Sequence, residues 1–351
     1  MTRARPAAAY GVLTVMFASL SWASPAVIAA QPGPGEGPPQ AGPSAAWASE
    51  TMQPDGDSVL VMRTSWAARD ARGERRGVVT LQRRDVAGAP RGATIAVYDG
   101  PAPLTALAVR DGLAGVALWR GGAHPFIKVA LLDLSASGIN RSLSDPALAH
   151  GSASPGRGEL RLVTLPRRAP RDYEPLAAVI ARDTAHDGFL VLFEEMGPTQ
   201  GAEAHSTLSV VRKNGAQTGR VVPVPWSLAA LADAGDRLVL AVRYDGNTAD
   251  STRLCFVTLS REGQPQQHPW WGAPPDAVDE VQLVQASGAA GAAASWVAVY
   301  RGGPGLRHVR AAPVDLSGQW GREAPAPREL GERAPGTPWT ARSVDGALRL
   351  L

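Results

Sequence analysis

The sequence has a single cysteine, Cys255, which excludes an intramolecular disulfide framework. Because Cys255 lies in the apolar run 254–257, we predict a buried and unreactive thiol. The nucleophile elbow Gly-x-Ser-x-Gly, the phosphate-binding loop and the Gly-x-Gly-x-x-Gly fingerprint are all missing. Their absence excludes an elbow-type serine hydrolase, a P-loop nucleotide-binding protein and a dinucleotide-binding domain of the Rossmann type.

A large excess of charge of one sign is also missing. The 351 residues include 35 Lys and Arg against 32 Asp and Glu. Residues 1–30 contain Arg3 and Arg5 and no acidic residue, so the rest of the chain is almost neutral. Nucleic-acid binding requires a concentrated basic surface, whereas the arginines that group at 72–76 and 167–171 lie in loop-like sequence. We therefore expect no nucleic-acid partner.

The first 30 residues have the pattern of a secretory signal peptide. Two arginines precede an apolar stretch over 7–20, and small residues follow as far as Ala30. This order predicts an exported chain, periplasmic or extracellular, with cleavage after Ala29 or Ala30. The alternative is an uncleaved membrane anchor, although Pro25 interrupts an apolar stretch that is barely long enough to span a bilayer.

Two further regions follow the predicted signal peptide. Residues 31–44 are rich in Gly and Pro and contain almost nothing that can pack, so we predict a disordered linker. Residues 45–351 alternate short apolar runs with turn residues, which is typical of many short strands. We therefore assign residues 45–351 to one repeat domain.

A pair of strands recurs along this domain. Apolar runs that end in a polar turn lie at 59–63, 116–120, 190–193, 238–243 and 297–301. The second strand of the pair leads to a turn that contains glycine. It recurs at 131–135, 257–260 and 314–317, with weaker copies at 79–82 and 210–215. A further strand-like segment precedes each pair, at 46–52, 104–110, 176–182, 228–232, 281–286 and 340–344. The segment 228–232 also has good helix propensity, so a helical turn is its alternative.

Asp-Gly joins the preceding segment to the pair in four copies, at 55–56, 111–112, 187–188 and 345–346. Asp-Gly tolerates the positive φ of a tight hairpin turn. The unit is thus three or four antiparallel strands in roughly 50 residues, with five fairly complete copies and a partial sixth. Between the second and third copies the spacing stretches, and an extra strand is predicted at 160–165.

In period and hairpin pattern the chain resembles β-propeller repeat proteins, in which successive sheets around an axis cover each other's faces. The resemblance implies an all-β fold of about six blades, with five to seven open, and a tandem β-sandwich is the alternative. No WD repeat, sustained kelch pattern or complete sialidase-type Asp-box is present. No family function is therefore carried over.

Two groups of residues are the candidate sites. The densest acid–histidine region contains Asp183, His186, Asp187 and Glu194, which is either a carboxylate–imidazole cluster or a solvated hairpin. Trp270 and Trp271, preceded by His268 and flanked by prolines, are the second group; exposed rings there would stack on a sugar or anchor a partner, and otherwise they fold under the loop.

These observations favour an exported, non-catalytic binding or scaffold protein. The expected partner is an extracytoplasmic protein or glycan, with membrane contact only if the N-terminal segment is uncleaved. The alternatives are a propeller-based hydrolase or lyase that uses carboxylates, and an envelope assembly component. No cofactor and no metal site is predicted, because the six histidines lack paired metal-ligand spacing.

Overall fold

The structure is a computed structural model that describes residues 47–69, 74–122, 124–134, 160–198, 204–223, 227–244, 253–266, 270–271, 278–286, 295–314, 316, 326–344 and 347–351. The predicted signal peptide and linker, 1–30 and 31–44, lie outside these residues. The described chain forms strands, turns and one short 3-10 turn at Pro304–Leu306, so the all-β prediction is confirmed. The described residues contain no helix that is both long and apolar enough to cross a membrane.

The strands form five four-stranded antiparallel sheets, in each of which neighbours in sequence are neighbours in space. Blade 1 contains β1 (Trp47–Asp55), β2 (Ser58–Arg69), β3 (Arg75–Asp85) and β4 (Ile95–Pro101). Blade 2 contains β5 (Leu104–Arg110), β6 (Leu113–Arg120), β7 (Phe126–Asp133) and β8 (Leu160–Thr164). Blade 3 contains β9 (Glu174–Asp183), β10 (Gly188–Met196), β11 (His205–Arg212) and β12 (Gln217–Val222).

The second half of the chain repeats this pattern. Blade 4 contains β13 (Ser227–Asp233), β14 (Arg237–Tyr244), β15 (Arg253–Ser260) and β16 (Trp270–Trp271). Blade 5 contains β17 (Val278–Ala286), β18 (Ser295–Gly302), β19 (His308–Val314) and β20 (Arg328–Glu332). A two-stranded sheet follows, made of β21 (Ala341–Val344) and β22 (Ala347–Leu350).

The first strands of successive sheets contact one another and line the inside of a ring. Contacts run from β1 to β5, β9, β13, β17 and β21 in order, and β21 contacts β1. The molecule is therefore a β-propeller with five four-stranded blades, within the expected five to seven. The sheet β21–β22 lies between blades 5 and 1, where the sequence predicted a partial last copy.

Each blade buries both of its faces, which explains why its central strands are apolar without alternation. In β10, Phe189, Val191 and Phe193 belong to the core shared with blade 2. The alternate residues Leu190 and Leu192 belong to the core shared with blade 4. Successive side chains of a strand point to opposite faces, so one strand supplies two cores.

The sheet topology corrects one local interpretation and confirms another. The strand predicted as an extra insertion at 160–165 is β8, the regular fourth strand of blade 2, and it pairs with β7. Residues 135–159, which separate β7 from β8, are outside the described residues. The segment 228–232, for which a helical turn was the alternative, is the inner strand β13. Its side chains pack against both neighbouring blades, and this burial outweighs local helix propensity.

Two of the three described Asp-Gly turns contain the predicted positive φ, and the third, Asp187-Gly188, does not. Asp111 and Gly112 both adopt positive φ, at 43° and 78°, between β5 and β6. Gly56 adopts a φ of 60° between β1 and β2. The pair at 345–346 is outside the described residues.

A buried arginine secures the closure of the ring. Arg301, on β18, is 1% exposed and donates to Glu280 Oε2, with Nε at 3.1 Å and Nη2 at 3.0 Å. It also donates to the carbonyl oxygens of Arg333, Ala334 and Thr337, which precede β21. Across the other side of β21, Arg342 donates to the carbonyl of Gly56 in blade 1 at 2.8 Å. The last sheet is thus bound to both of its neighbours through side chains.

Candidate functional site

Asp183 and His186 form the most chemically suggestive pair among the described residues. Asp183 ends the inner strand β9, and His186 lies in the turn that leads to β10. His186 Nδ1 lies 2.9 Å from Asp183 Oδ2. The Asp183 side chain is fully buried, whereas that of His186 is 45% exposed. We call this pair the Asp183–His186 dyad.

Local turn geometry places the two side chains together. The backbone N–H groups of Ala185 and His186 donate to Asp183 Oδ1 at 3.0 and 3.2 Å. This Asx-type arrangement is a common use of aspartate at a turn. Because the carboxylate accepts from Nδ1–H, the other ring nitrogen, Nε2, keeps its lone pair and is the nitrogen available to a substrate.

Arg261, in the turn after β15 of blade 4, neutralises the buried carboxylate. Its Nη2 donates to Asp183 Oδ1 at 2.5 Å, and its Nη1 donates to Asp233 Oδ1 at 2.8 Å and Oδ2 at 2.9 Å. Thr184 donates to Asp233 Oδ2 from its backbone N at 2.6 Å and its hydroxyl at 2.8 Å. Arg261, Asp183, Asp233 and Thr184 are called the Arg261 network below.

Asp233 is the second buried carboxylate of this network. Burial acts to raise its pKa, but hydrogen bonds from the backbone of Thr184, from Arg261 and from the backbone of Gly235 act against burial. The net result is a pKa below the ordinary value of an aspartate. Asp233 therefore stays ionised beside Arg261 and helps to fix the guanidinium under the dyad.

Blade 2 supports the same turn from the opposite side. Arg110, the last residue of β5, donates through Nη1 to the carbonyl oxygens of Asp183 and His186. The turn that carries His186 is thus bound by arginines from both neighbouring blades. Such support limits the movement of a side chain that has to be positioned for chemistry.

The remaining members of the predicted acidic group lie elsewhere. Asp187 closes the turn through its carbonyl, which accepts from the backbone N of Lys213 at 2.8 Å. Glu194 lies near the far end of β10, paired in register with Ala177 and Ser206. A strand rises about 3.3 Å per residue, so six residues separate Glu194 from Gly188 by roughly 20 Å.

Glu194 is nonetheless an unusual carboxyl group. It is 2% exposed, and its Oε2 has no hydrogen-bond partner among the residues that the structure describes. Burial raises the pKa of Glu194 to about 7, against the opposing effect of a hydrogen bond from the backbone of Leu228. The adjacent Glu195 is directed to the other face of the sheet, where Arg167 Nε donates to it at 2.5 Å. The two neighbours therefore serve different blade interfaces.

The tryptophan pair lies on a strand and not in a loop. Trp270 and Trp271 form the fourth strand of blade 4 and pair with Phe256 and Cys255. The sequence indicated a loop because the flanking prolines cannot donate to a strand ladder. His268 lies outside the described residues.

Sequence reasoning missed Arg261, Asp233 and Arg110. One signal was available in the sequence. In two blades, the aspartate that ends the first strand is followed, 28 residues later, by the arginine with which it pairs. The two pairs are Asp55 with Arg83, and Asp233 with Arg261. The contact of Arg110 with the next blade has no such repeated spacing.

The comparisons with known proteins return only similarity of fold. The chain matches no protein-family model, and no curated protein matches it significantly. Trypanosoma rangeli sialidase with the inhibitor DANA aligns at a TM-score of 0.48 and 10% identity, over 86% of this chain and 51% of that chain. A mutant of Synechocystis apocarotenoid oxygenase aligns at a TM-score of 0.41 and 11% identity, over 82% and 62%. This chain thus spans less than two thirds of either protein.

These comparisons correct one prediction. The sequence favoured a non-catalytic binding or scaffold protein, and that prediction is wrong, because the similar structures are propeller enzymes. The case for an enzymatic activity in this chain rests on its own residues.

Proposed function

We propose that this protein is a propeller-based hydrolase or lyase in which His186 is the general base and Asp183 is its positioning residue. One observation supports this most strongly: a half-exposed imidazole is hydrogen-bonded through Nδ1, at 2.9 Å, to a fully buried carboxylate. A carboxylate in this position fixes the tautomer and ring orientation of a histidine and stabilises the imidazolium that forms when Nε2 accepts a proton.

The chemistry of the dyad fits two reaction classes. In hydrolysis, Nε2 accepts a proton from water while the water oxygen bonds to the electrophilic centre. The leaving group departs with the electron pair of the broken bond and takes the proton from the imidazolium. In elimination, Nε2 accepts a proton from a carbon next to a carbonyl. The C–H electron pair forms a double bond to the adjacent carbon, and the leaving group departs from that carbon with the electron pair of its own bond.

The surroundings of the dyad suit a preorganised base. Asp183 keeps its position through Arg261 and two backbone N–H groups, and the His186 backbone is bound by Arg110. A general base contributes roughly 10²–10⁴ to a rate when it is well placed. Because Asp183 ends β9, the first strand of blade 3, the base lies beside the end of an innermost strand.

A substrate screen tests the proposal. The full chain and the variant His186→Asn are compared on para-nitrophenyl esters, phosphates and glycosides, and on uronate polysaccharides whose elimination products absorb ultraviolet light. We expect one class to be turned over and His186→Asn to lose at least 100-fold in kcat/KM. His124→Asn, a change at another exposed histidine, is the matched control and should keep the wild-type rate.

The positioning role of Asp183 has its own readout. Asp183→Asn should lower kcat with little change in KM, because the imidazole is disoriented while the substrate contacts remain. Equal rates in the wild type and His186→Asn, or no turnover of any class, would contradict the proposal.

We also propose that the protein acts outside the cytoplasm. The support is the arrangement of residues 1–30, with a positive start, an apolar centre and a small-residue end. Expression of the full chain in a bacterial host, fractionation and N-terminal sequencing should find a periplasmic or secreted product that begins near Gln31. A version without residues 1–30 should stay in the cytoplasm, and a product that retains these residues in the membrane would favour the anchor.

A further inference from the structure

Three potential metal-ligating side chains meet on the outer strands of blade 5, away from the dyad. His308 begins β19, and Glu329 and Glu332 belong to β20. One ligand atom from each lies within 4.8 Å of the other two. His308 Nδ1 is 3.0 Å from Glu329 Oε1 and 4.0 Å from Glu332 Oε1.

A β-bulge brings the two carboxylates to one face. Residues three apart in a regular strand point to opposite faces, so Glu329 and Glu332 would ordinarily diverge. Here β20 shifts register against β19: Glu332 pairs with His308 and Gly331 with Val309, but Glu329 pairs with Arg310. The additional residue, Leu330, restores both carboxylates to the face of His308. Bulges often redirect side chains in this way near functional sites.

The imidazole is also held in place. Its ring lies against Gly303, where an added Cβ would come within 2.7 Å of His308 Cδ2. The side chain of His308 is 25% exposed, whereas those of Glu329 and Glu332 are 50% and 71% exposed. The result is a fixed nitrogen ligand with two carboxylates that reach it from the solvent side.

The separations match a transition-metal site. Ligands about 2.0–2.2 Å from a tetrahedral Zn²⁺ lie about 3.3 Å from one another. The observed 3.0 and 4.0 Å need only small side-chain rotations to reach that value. One imidazole with two carboxylates is a donor set for zinc and its neighbours, whereas calcium and magnesium prefer oxygen alone.

We propose that His308, Glu329 and Glu332 bind one divalent transition-metal ion, with Zn²⁺ as the representative. Three protein ligands leave a fourth position of the tetrahedron for water or for an incoming group. Arg310 lies opposite Glu329 in the ladder and adds one positive charge beside the two carboxylates. The two carboxylates offset the charge of a divalent ion, and the positive charge of Arg310 remains.

Zinc titration of the full chain, freed of metal by chelator, tests this proposal. Calorimetry with zinc chloride should give one equivalent bound to the wild type. The variants His308→Asn and Glu329→Gln/Glu332→Gln should each weaken that affinity at least tenfold. Calcium chloride should bind at least 100-fold more weakly than zinc.

Matched controls separate this site from general surface binding. His124→Asn and Glu262→Gln alter an exposed histidine and an exposed glutamate elsewhere, and both should bind zinc as the wild type does. Unchanged melting temperatures of the metal-free variants check that each one folds. The proposal is overturned if the wild type binds no zinc, if His308→Asn binds zinc like the wild type, or if calcium binds as tightly as zinc.

Discussion

The ring of Phe189 lies directly on Gly115, where an added Cβ would approach Cδ2 to 2.8 Å. Gly115 is in β6 of blade 2 and Phe189 in β10 of blade 3, so the two blades approach each other through this contact. The ring is fully buried, and no side chain larger than hydrogen fits at position 115 unless the Phe189 ring moves.

Gly115→Ala should therefore lower the free energy of unfolding by about 1–3 kcal/mol, the usual cost of overpacking. Urea unfolding followed by tryptophan fluorescence measures it. In the background Phe189→Leu, which makes room, the same change should cost clearly less. Equal costs in the two backgrounds would show that Phe189 does not set the limit.

Arg261→Gln should destabilise the protein by about 3–5 kcal/mol, because it leaves the buried carboxylates of Asp183 and Asp233 without their cation. The control is Arg237→Gln, which breaks a pair with the exposed Asp236 and should cost less than about 1 kcal/mol. Urea unfolding at neutral pH compares them. Similar losses in the two variants would show that the Arg261 network is not a principal inter-blade connection.

Glu194 should make the protein less stable as the pH rises from about 4.5 to about 7. In this window the folded protein keeps the proton on Glu194, whose pKa burial raises to about 7, while the unfolded chain has released it. The loss should total about 3 kcal/mol and level off at higher pH. Glu194→Gln should remove this slope from the urea midpoints, and Glu262→Gln should keep it. A slope unchanged in Glu194→Gln would assign it to another group.

Arg301→Gln should loosen the segment that leads into β21. Arg301 is fully buried, and its loss leaves the carbonyls of Arg333, Ala334 and Thr337 without their donor. We expect a stability loss of about 3–5 kcal/mol and faster amide exchange in Ala341–Val344 than in blade 3. Arg342→Gln, at the more exposed contact with Gly56, is the milder control. Uniform acceleration of exchange throughout the protein would argue against a local role.

Local patterns were sufficient to predict much of the fold. Apolar runs such as Leu113–Arg120 predict central strands because both faces of a blade are buried. The Asp111-Gly112 turn follows from the positive φ that a tight hairpin requires. The strand β8 was assigned to an insertion because residues 135–159 separate it from its partner β7. So long a separation does not fit the repeat period from which the other strands were predicted.

The candidate site was predictable only in part, for the same reason. Asp183 and His186 are three residues apart, so a single turn brings them together, and sequence proximity indicated it. Arg261 approaches Asp183 from 78 residues away, through the packing of one blade on the next. Glu194 is close to His186 in sequence but distant in space, because an extended strand separates residues faster than any other element.

The contact between the last sheet and blade 1 has a mechanical consequence. Within the described residues, β1 pairs with β2 alone, and β21 pairs with β22 alone. A pulling force applied between residues 47 and 351 would therefore act first on the side-chain contacts between the last sheet and blade 1. Within each blade, by contrast, backbone hydrogen bonds oppose extension. The ring would open there into a curved row of intact sheets before any of them unravels, and a force–extension trace would record an early, small step followed by one larger step per blade.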